Sequence, residues 1–333
     1  MPNFVIHAGP HKTGSTYLQR CLEFNAPRLL ERGILVPGEW NHSAANPSHD
    51  GLIRRLNSAG LAELDSKFEE WRRARLNTVV ISSEDIAILP PEQLDMLRAL
   101  IGPDQFVVVF YVRRWSELVT SGWQETVKQG SPLPFLEYVL HRVCNPEECS
   151  EINIEPGLNR LIDAFGRKAM RLVSYSNVLD AGLNLFRHFA RNFLGVADLA
   201  PIAAERVNAS LSAAETELIR ELNRIDQASG APVTSRMSVA LHDMRDDIDI
   251  GPLLSVLNGF VRSVSLRENM PFAREILRRN RAALADCVVK PVPAIRFYNP
   301  IDTTALYVTP GYAVPAGFGD ALHGLRDMLS RHM

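Results

Sequence analysis

The run Gln105–Val112, QFVVVFYV, offers apolar or aromatic side chains at every position after the first. Successive side chains of a strand point to opposite faces. A strand apolar at every position must therefore be covered on both, which is the situation of a strand inside a parallel sheet. Asn3–Ala8 (NFVIHA) and Thr78–Ser82 (TVVIS) read the same way, and Gly33–Val36 and Ala169–Val173 are shorter versions. Longer helical patterns separate them: Ser15–Phe24, the amphipathic Leu61–Arg75, Pro91–Ile101 with proline at its start, Arg114–Lys128 and Pro132–Arg142. Alternation of this kind predicts an α/β fold, a parallel β-sheet with helices on both faces.

Beyond Leu183 the pattern turns mostly helical. Leu211–Gln227 begins with SLSAAE, in which Ser212 and Glu215 form a capping box. Pro252–Leu266 and Pro271–Cys287 read as helices, Val288–Phe318 as a proline- and aromatic-rich extended segment, and Gly319–Arg331 as a last helix. Without an internal repeat or a low-complexity linker, the expectation is one domain over 1–333, with an α/β core at 1–225 and a helical, proline-rich extension at 226–333.

With 46% hydrophobic and 22% charged residues the chain has ample material for a core, and its net charge of −2 gives no basic field for nucleic acid or an anionic membrane. No apolar run approaches the roughly 20 residues of a membrane span. MPNFVIHAG lacks the pattern of a signal peptide, and the expected location is cytoplasmic. Cys21, Cys144, Cys149 and Cys287 make no C-x-x-C pair, so reduced thiols are expected. His141, Cys144 and Cys149 match no standard zinc spacing, and no metal site is expected.

Ligands of a parallel sheet bind outside the carboxyl ends of its strands. After the first strand comes Gly9-Pro10-His11-Lys12-Thr13-Gly14-Ser15-Thr16, after the third Ser82-Ser83-Glu84-Asp85, after the fourth Arg113-Arg114-Trp115-Ser116, and after the fifth Ser174-Tyr175-Ser176-Asn177. The first of these has the frame of a phosphate-binding P-loop, G-x-x-x-x-G-K-[ST], with one part displaced. Ser15 stands where the lysine belongs, and Lys12 has moved inside the loop. A glycine-framed loop feeding a helix N-terminus is suited to an anion. A nucleotide triphosphatase uses the displaced lysine and the next hydroxyl for a Mg²⁺-bound triphosphate, so this loop fits an anion cluster without metal.

PHKTGSTYLQ resembles the 5′-phosphosulfate loop of the sulfotransferases that use PAPS (3′-phosphoadenosine 5′-phosphosulfate), in the form found in their bacterial branch. FYVRRWSELVTSGWQ is similar to that family's second motif, an arginine at a strand end and a serine eight residues on, here Arg113 and Ser121. VVISSED resembles the third-strand segment that carries a catalytic base in carbohydrate sulfotransferases. RLVSYSNVLD is similar to the segment written Y-E-D-L, without its acidic residues, and RVNASLS to a downstream bacterial motif. The resemblance covers about the first two thirds of the chain. It implies PAPS as donor and PAP as product, with Pro10, His11, Lys12, Thr13, Gly14, Ser15 and Thr16 around the phosphosulfate, Arg113 and Ser121 on the 3′-phosphate, and Asn208 and Ser210 near the nucleotide.

The candidate catalytic residues are Lys12, Glu84 and His11. An ammonium at Lys12 would stabilise charge growing on the bridging oxygen as the S–O bond breaks. Glu84 at a strand end can accept the proton of an attacking hydroxyl, or serve as a helix cap or ion-pair member. His11 and His7 are the rival bases because histidine titrates near neutrality, although a strand position such as that of His7 more often holds a packed histidine. The expected activity is sulfuryl transfer from PAPS to a hydroxyl, or in second place an amine, of a carbohydrate, glycolipid or other small acceptor by metal-independent in-line displacement. The alternatives are a variant P-loop kinase or nucleotide hydrolase, and a non-catalytic nucleotide-binding module.

Overall fold

A computed structural model describes residues 2–43, 47–57, 59–103, 105–145, 149, 153–202, 211–230, 236–244, 247–266, 278, 303–308 and 315–332. These form two compact units. The first comprises the described residues of Met1–Arg114, Cys149–Val207 and Glu275–Pro300; the second, those of Trp115–Glu148, Asn208–Arg274 and Ile301–Met333.

The first unit is built on five parallel strands, β1 (Asn3–Ala8), β2 (Ile34–Leu35), β3 (Thr78–Ser82), β4 (Phe106–Val112) and β5 (Met170–Ser174), in the order β2-β3-β1-β4-β5. From β1 the chain goes to the edge strand β2, comes back beside β1 at β3, then crosses to β1's other side at β4 and moves outward to β5. The carboxyl ends of β1, β3 and β4 thus meet at the point of reversal, where such sheets open a crevice. The register is tight there: His7 of β1 is opposite Ser82 of β3, and Ala8 is opposite Phe110 of β4.

The period of two sorts the strand residues onto two cores. Phe4, Ile6, Ile81, Val108 and Phe110 face one side, with Leu64, Phe68, Leu97, Leu158 and Phe165 from α4 (Leu61–Arg73), α5 (Pro91–Ile101) and α8 (Glu155–Phe165). Val5, Val80, Val109, Tyr111 and Val173 face the other, with Leu18 and Leu22 of α1 (Ser15–Phe24) and Phe186 and Phe189 of α10 (Leu185–Phe189). The α/β fold read from the sequence is thus the fold of this unit.

The second unit holds α6 (Trp115–Lys128), α7 (Phe135–Cys144), α11 (Ala213–Ala228), α13 (Gly251–Asn258), the helix Phe318–His332, and a two-stranded antiparallel sheet of β6 (Val261–Leu266) and β7 (Thr303–Val308). The capping box of α11 forms as read, with Glu215 N–H donating to Ser212 and Ser212 N–H to Glu215. A buried ion pair joins Arg220 to Glu217, Nε to Oε2 at 2.7 Å, and Asn223 donates to the carbonyl of Val127 at 2.8 Å.

Pro252–Leu266 is not one helix. The helix stops at Asn258, and Val261–Leu266 pairs residue by residue with Thr303–Val308. Within VRSVSL the stretch Ser263–Leu266 alternates polar with apolar, and Gly259 before it weakens the helix; the helical reading ran through both signals. Of the predicted helix Pro271–Cys287 only Arg278 is among the described residues, and it is helical.

Candidate functional site: the strand ends of the first unit

The loop after β1 turns sharply. Gly9 has φ +147°, Lys12 φ +68° and Gly14 φ +78°. Gly14 is required twice over. Its φ is in the left-handed region, and a Cβ there would lie 2.7 Å from Leu185 Cδ2 and 2.9 Å from Tyr175 Cε2. Lys12 adopts the same region without a glycine's freedom, which costs roughly 1–2 kcal/mol. Two bonds hold it there: the Thr13 hydroxyl donates to the Pro10 carbonyl at 2.9 Å, and Arg113 Nη1 donates to the Lys12 carbonyl at 2.7 Å.

Gly14 is the N-cap of α1. No side chain caps this helix, and its first turn contains no acidic residue. The N–H groups of a first turn have no partners within the helix, and the helix dipole there favours negative charge. The Thr16 hydroxyl sits on that turn, partly buried; the Ser15 hydroxyl is there too, buried, but its one proton goes to Glu84. The arrangement can bind an anion.

Arg113 leaves β4 beside this loop. Its guanidinium lies 5.1 Å from the centre of the Tyr175 ring while it bonds to Lys12. Tyr175, to which the sequence reading gave no firm role, therefore meets both Gly14 and Arg113. Arg114 turns elsewhere. It is buried, its N–H donates to Ser176 Oγ at 3.2 Å, and its guanidinium pairs with Asp180.

Glu84 begins a short 3₁₀ turn, Glu84–Ile88, directly after β3. The cap of that turn is Ser83, whose Oγ accepts from Asp85 N–H at 3.2 Å, so Glu84 is not itself the cap. Its carboxylate reaches α1: the Ser15 hydroxyl donates to Oε1, and Gln19 Nε2 donates to Oε2 at 2.9 Å. The Glu84 side chain keeps 12% exposure. His11 is nearby, with Nδ1 4.0 Å from Glu84 Oε1 and Nε2 3.6 Å from Asp85 Oδ1, and its side chain is 47% exposed. The Asp85 carboxyl is pushed above the usual range, first by burial and then by Asp50 and Glu84, with His11 and Arg54 opposing.

Beneath Glu84 the strand end is anchored by buried polar groups. Ser83 N–H donates to the His7 carbonyl at 3.1 Å, and the Ser83 hydroxyl to Asp50 Oδ1 at 2.7 Å. His49 grips Ser82 twice, donating its N–H to the Ser82 carbonyl and accepting the Ser82 N–H on Nδ1 at 3.0 Å. His7 Nδ1 is hydrogen-bonded to Ser82 Oγ at 2.8 Å, its ring set edge-on to Tyr111. Burial pulls both histidines down to about 4; Glu84 opposes this at His7, and at His49 Asp50 opposes it while His7 adds to it.

Among the sequence candidates, Pro10, His11, Lys12, Thr13, Gly14, Ser15, Thr16, Glu84 and Arg113 all belong to these strand ends. Ser121 lies half-buried on α6 in the second unit. Asn208 and Ser210 lie outside the described residues. Gln19 was read only as part of a family pattern; the local signal was its place one helical turn after Ser15, on an otherwise apolar face.

No family model matches the chain, and no curated protein matches it. Among solved structures it is similar to a sulfotransferase from Alicyclobacillus acidocaldarius, at 16% identity, over 70% of this chain and 97% of that one, with a TM-score of 0.39.

Proposed function

We propose that the protein is a sulfotransferase that moves a sulfuryl group from PAPS to a hydroxyl of a carbohydrate, glycolipid or other small acceptor. The observation that carries this reading is the tie between Glu84 and Ser15: a partly exposed carboxylate is fastened to the first residue of the helix whose N-terminus opens the anion loop. A proton acceptor there stands beside the position a helix N-terminus gives to an anionic donor.

In this mechanism the phosphosulfate lies on the loop from Pro10 to Thr16, with the 3′-phosphate on Arg113. The acceptor oxygen attacks sulfur and passes its proton to Glu84. The bond from sulfur to the bridging oxygen breaks, and its electron pair goes to the phosphate of PAP. Lys12 balances the charge that develops on that oxygen. Alignment and charge stabilisation supply most of the acceleration, as in phosphoryl transfer. His11 is the competing base.

The test is thermal denaturation with PAP, with PAP and a chelator, and with ATP and Mg²⁺. PAP at about 100 times its dissociation constant should add roughly 2.7 kcal/mol of stability, chelator or not. Strong stabilisation by ATP with Mg²⁺ and none by PAP would refute the sulfotransferase reading. Turnover of labelled PAPS then separates the bases: Glu84→Gln should lose about 10²–10⁴-fold in rate and keep its PAP affinity. If it turns over normally while His11→Ala binds PAP and is inactive, the base is His11.

A further inference from the structure

We propose that Gln19 is a positioning residue for the Glu84 carboxylate, fixing the proton acceptor to the same helix that opens the donor loop. This rests on the reading of Glu84 as the base. Gln19 is 2% exposed on a face of α1 that otherwise carries Leu18, Cys21 and Leu22 into the core. A carboxamide buried there is costly unless it is hydrogen-bonded, and its N–H is bonded to Glu84 Oε2 at 2.9 Å. Ser15 is one helical turn earlier, so its hydroxyl and the Gln19 amide project from one face of α1. They reach different oxygens of the one carboxylate.

The geometry has a consequence for chemistry. A carboxylate oxygen has two lone pairs, so each donor occupies one and leaves one for an acceptor hydroxyl. A glutamate held at one oxygen alone can swing about its side-chain torsions, here toward His11, whose Nδ1 is 4.0 Å away. Two donors from a single rigid helix remove that freedom. Because the N-terminus of α1 is also the end suited to an anion, the carboxylate and the proposed donor position are tied to one helix. Sites built on helices hold such tolerances better than sites on loops.

The experiment uses the full chain and labelled PAPS, with water and a panel of polyols as acceptors. Gln19→Met keeps the volume and removes the amide; Gln19→Glu sets a second carboxylate against the first, so that the two share a proton. Single-turnover rates should fall about 10- to 100-fold in Gln19→Met, as for a misplaced catalytic group, and further in Gln19→Glu. PAP affinity should stay within about twofold for Gln19→Met, because one lost hydrogen bond on the far side of Glu84 leaves the loop donors untouched. In a Glu84→Gln background, Gln19→Met should have no further effect on rate.

The inference is overturned if Gln19→Met turns over like the wild type while Glu84→Gln does not. It is also overturned if Gln19→Met loses rate only in step with PAP affinity and melting temperature, or if its effect persists in the Glu84→Gln background. Normal turnover by Glu84→Gln, or no turnover of PAPS by the wild type, defeats the functional reading itself and the positioning role with it.

Discussion

Mild acid should loosen the strand end that carries Glu84, through His7 and His49. Both are 1% exposed and both are held neutral by burial, falling from 6.5 to about 4. In the unfolded chain they titrate near 6.5. Above that value both states are neutral and the histidines contribute nothing to the pH dependence. Between 6.5 and about 4 the unfolded chain takes up protons that the native state refuses, so stability falls as the pH falls. Each histidine should give a slope of about 1 kcal/mol per pH unit in the middle of this window, and a loss of about 2 kcal/mol by pH 5. Urea unfolding at pH 7, 6, 5.5 and 5 measures the slope. Carboxylates also begin to titrate at the lower end, so the decisive comparison is with His7→Asn and His49→Asn. An asparagine amide can keep the hydrogen bond made by Nδ1, accepting the Ser82 N–H at position 49 and bonding the Ser82 hydroxyl at position 7, and does not titrate. Each variant should be less stable at pH 7, since ring packing is lost, yet its curve should be flatter by about 1 kcal/mol per pH unit. Wild-type slopes in both variants would refute the reasoning.

Gly14→Ala should cost about 1–2 kcal/mol for the left-handed backbone and must also displace Tyr175 or Leu185, which its Cβ would meet at 2.9 and 2.7 Å. PAP affinity measured by calorimetry should therefore fall more than the melting temperature suggests; unchanged affinity would mean that the loop does not hold the nucleotide. Arg113→Ala should weaken PAP by about 1.5–3 kcal/mol through the lost charge-assisted bond to phosphate. The Arg113 bond to the Lys12 carbonyl adds a second effect: adenosine 5′-phosphosulfate, which lacks the 3′-phosphate, should also weaken, but less. Equal losses for the two ligands would restrict Arg113 to bracing the loop.

Much of the first unit was legible along the chain because its signals are local. A strand with no polar face announces burial on both sides, and two glycines framing Lys12 announce a loop that must turn left-handed. Ser212 and Glu215 specified their own cap, since both partners lie within one turn. The same locality misled at Val261–Leu266, where the strand's partner, Thr303–Val308, lies far along the chain. Strand order was likewise not local. Which loops share a rim depends on β1 standing between β3 and β4, and that is decided by packing both faces of the sheet at once.

The site divides in the same way. Lys12, Glu84 and Arg113 could be named from the sequence because each leaves a strand end. That Glu84 is fastened to α1 by Ser15 and Gln19, 69 and 65 residues away, could not, nor that Arg113 braces the carbonyl of Lys12 across 101 residues. The sequence determined which groups lie at the carboxyl ends of the strands, because hydrophobic period and glycine placement are properties of short segments. Only the tertiary structure decided which of those groups touch. A hydrogen bond between distant residues depends on the register of three strands and the seating of a helix, and no short segment contains that information.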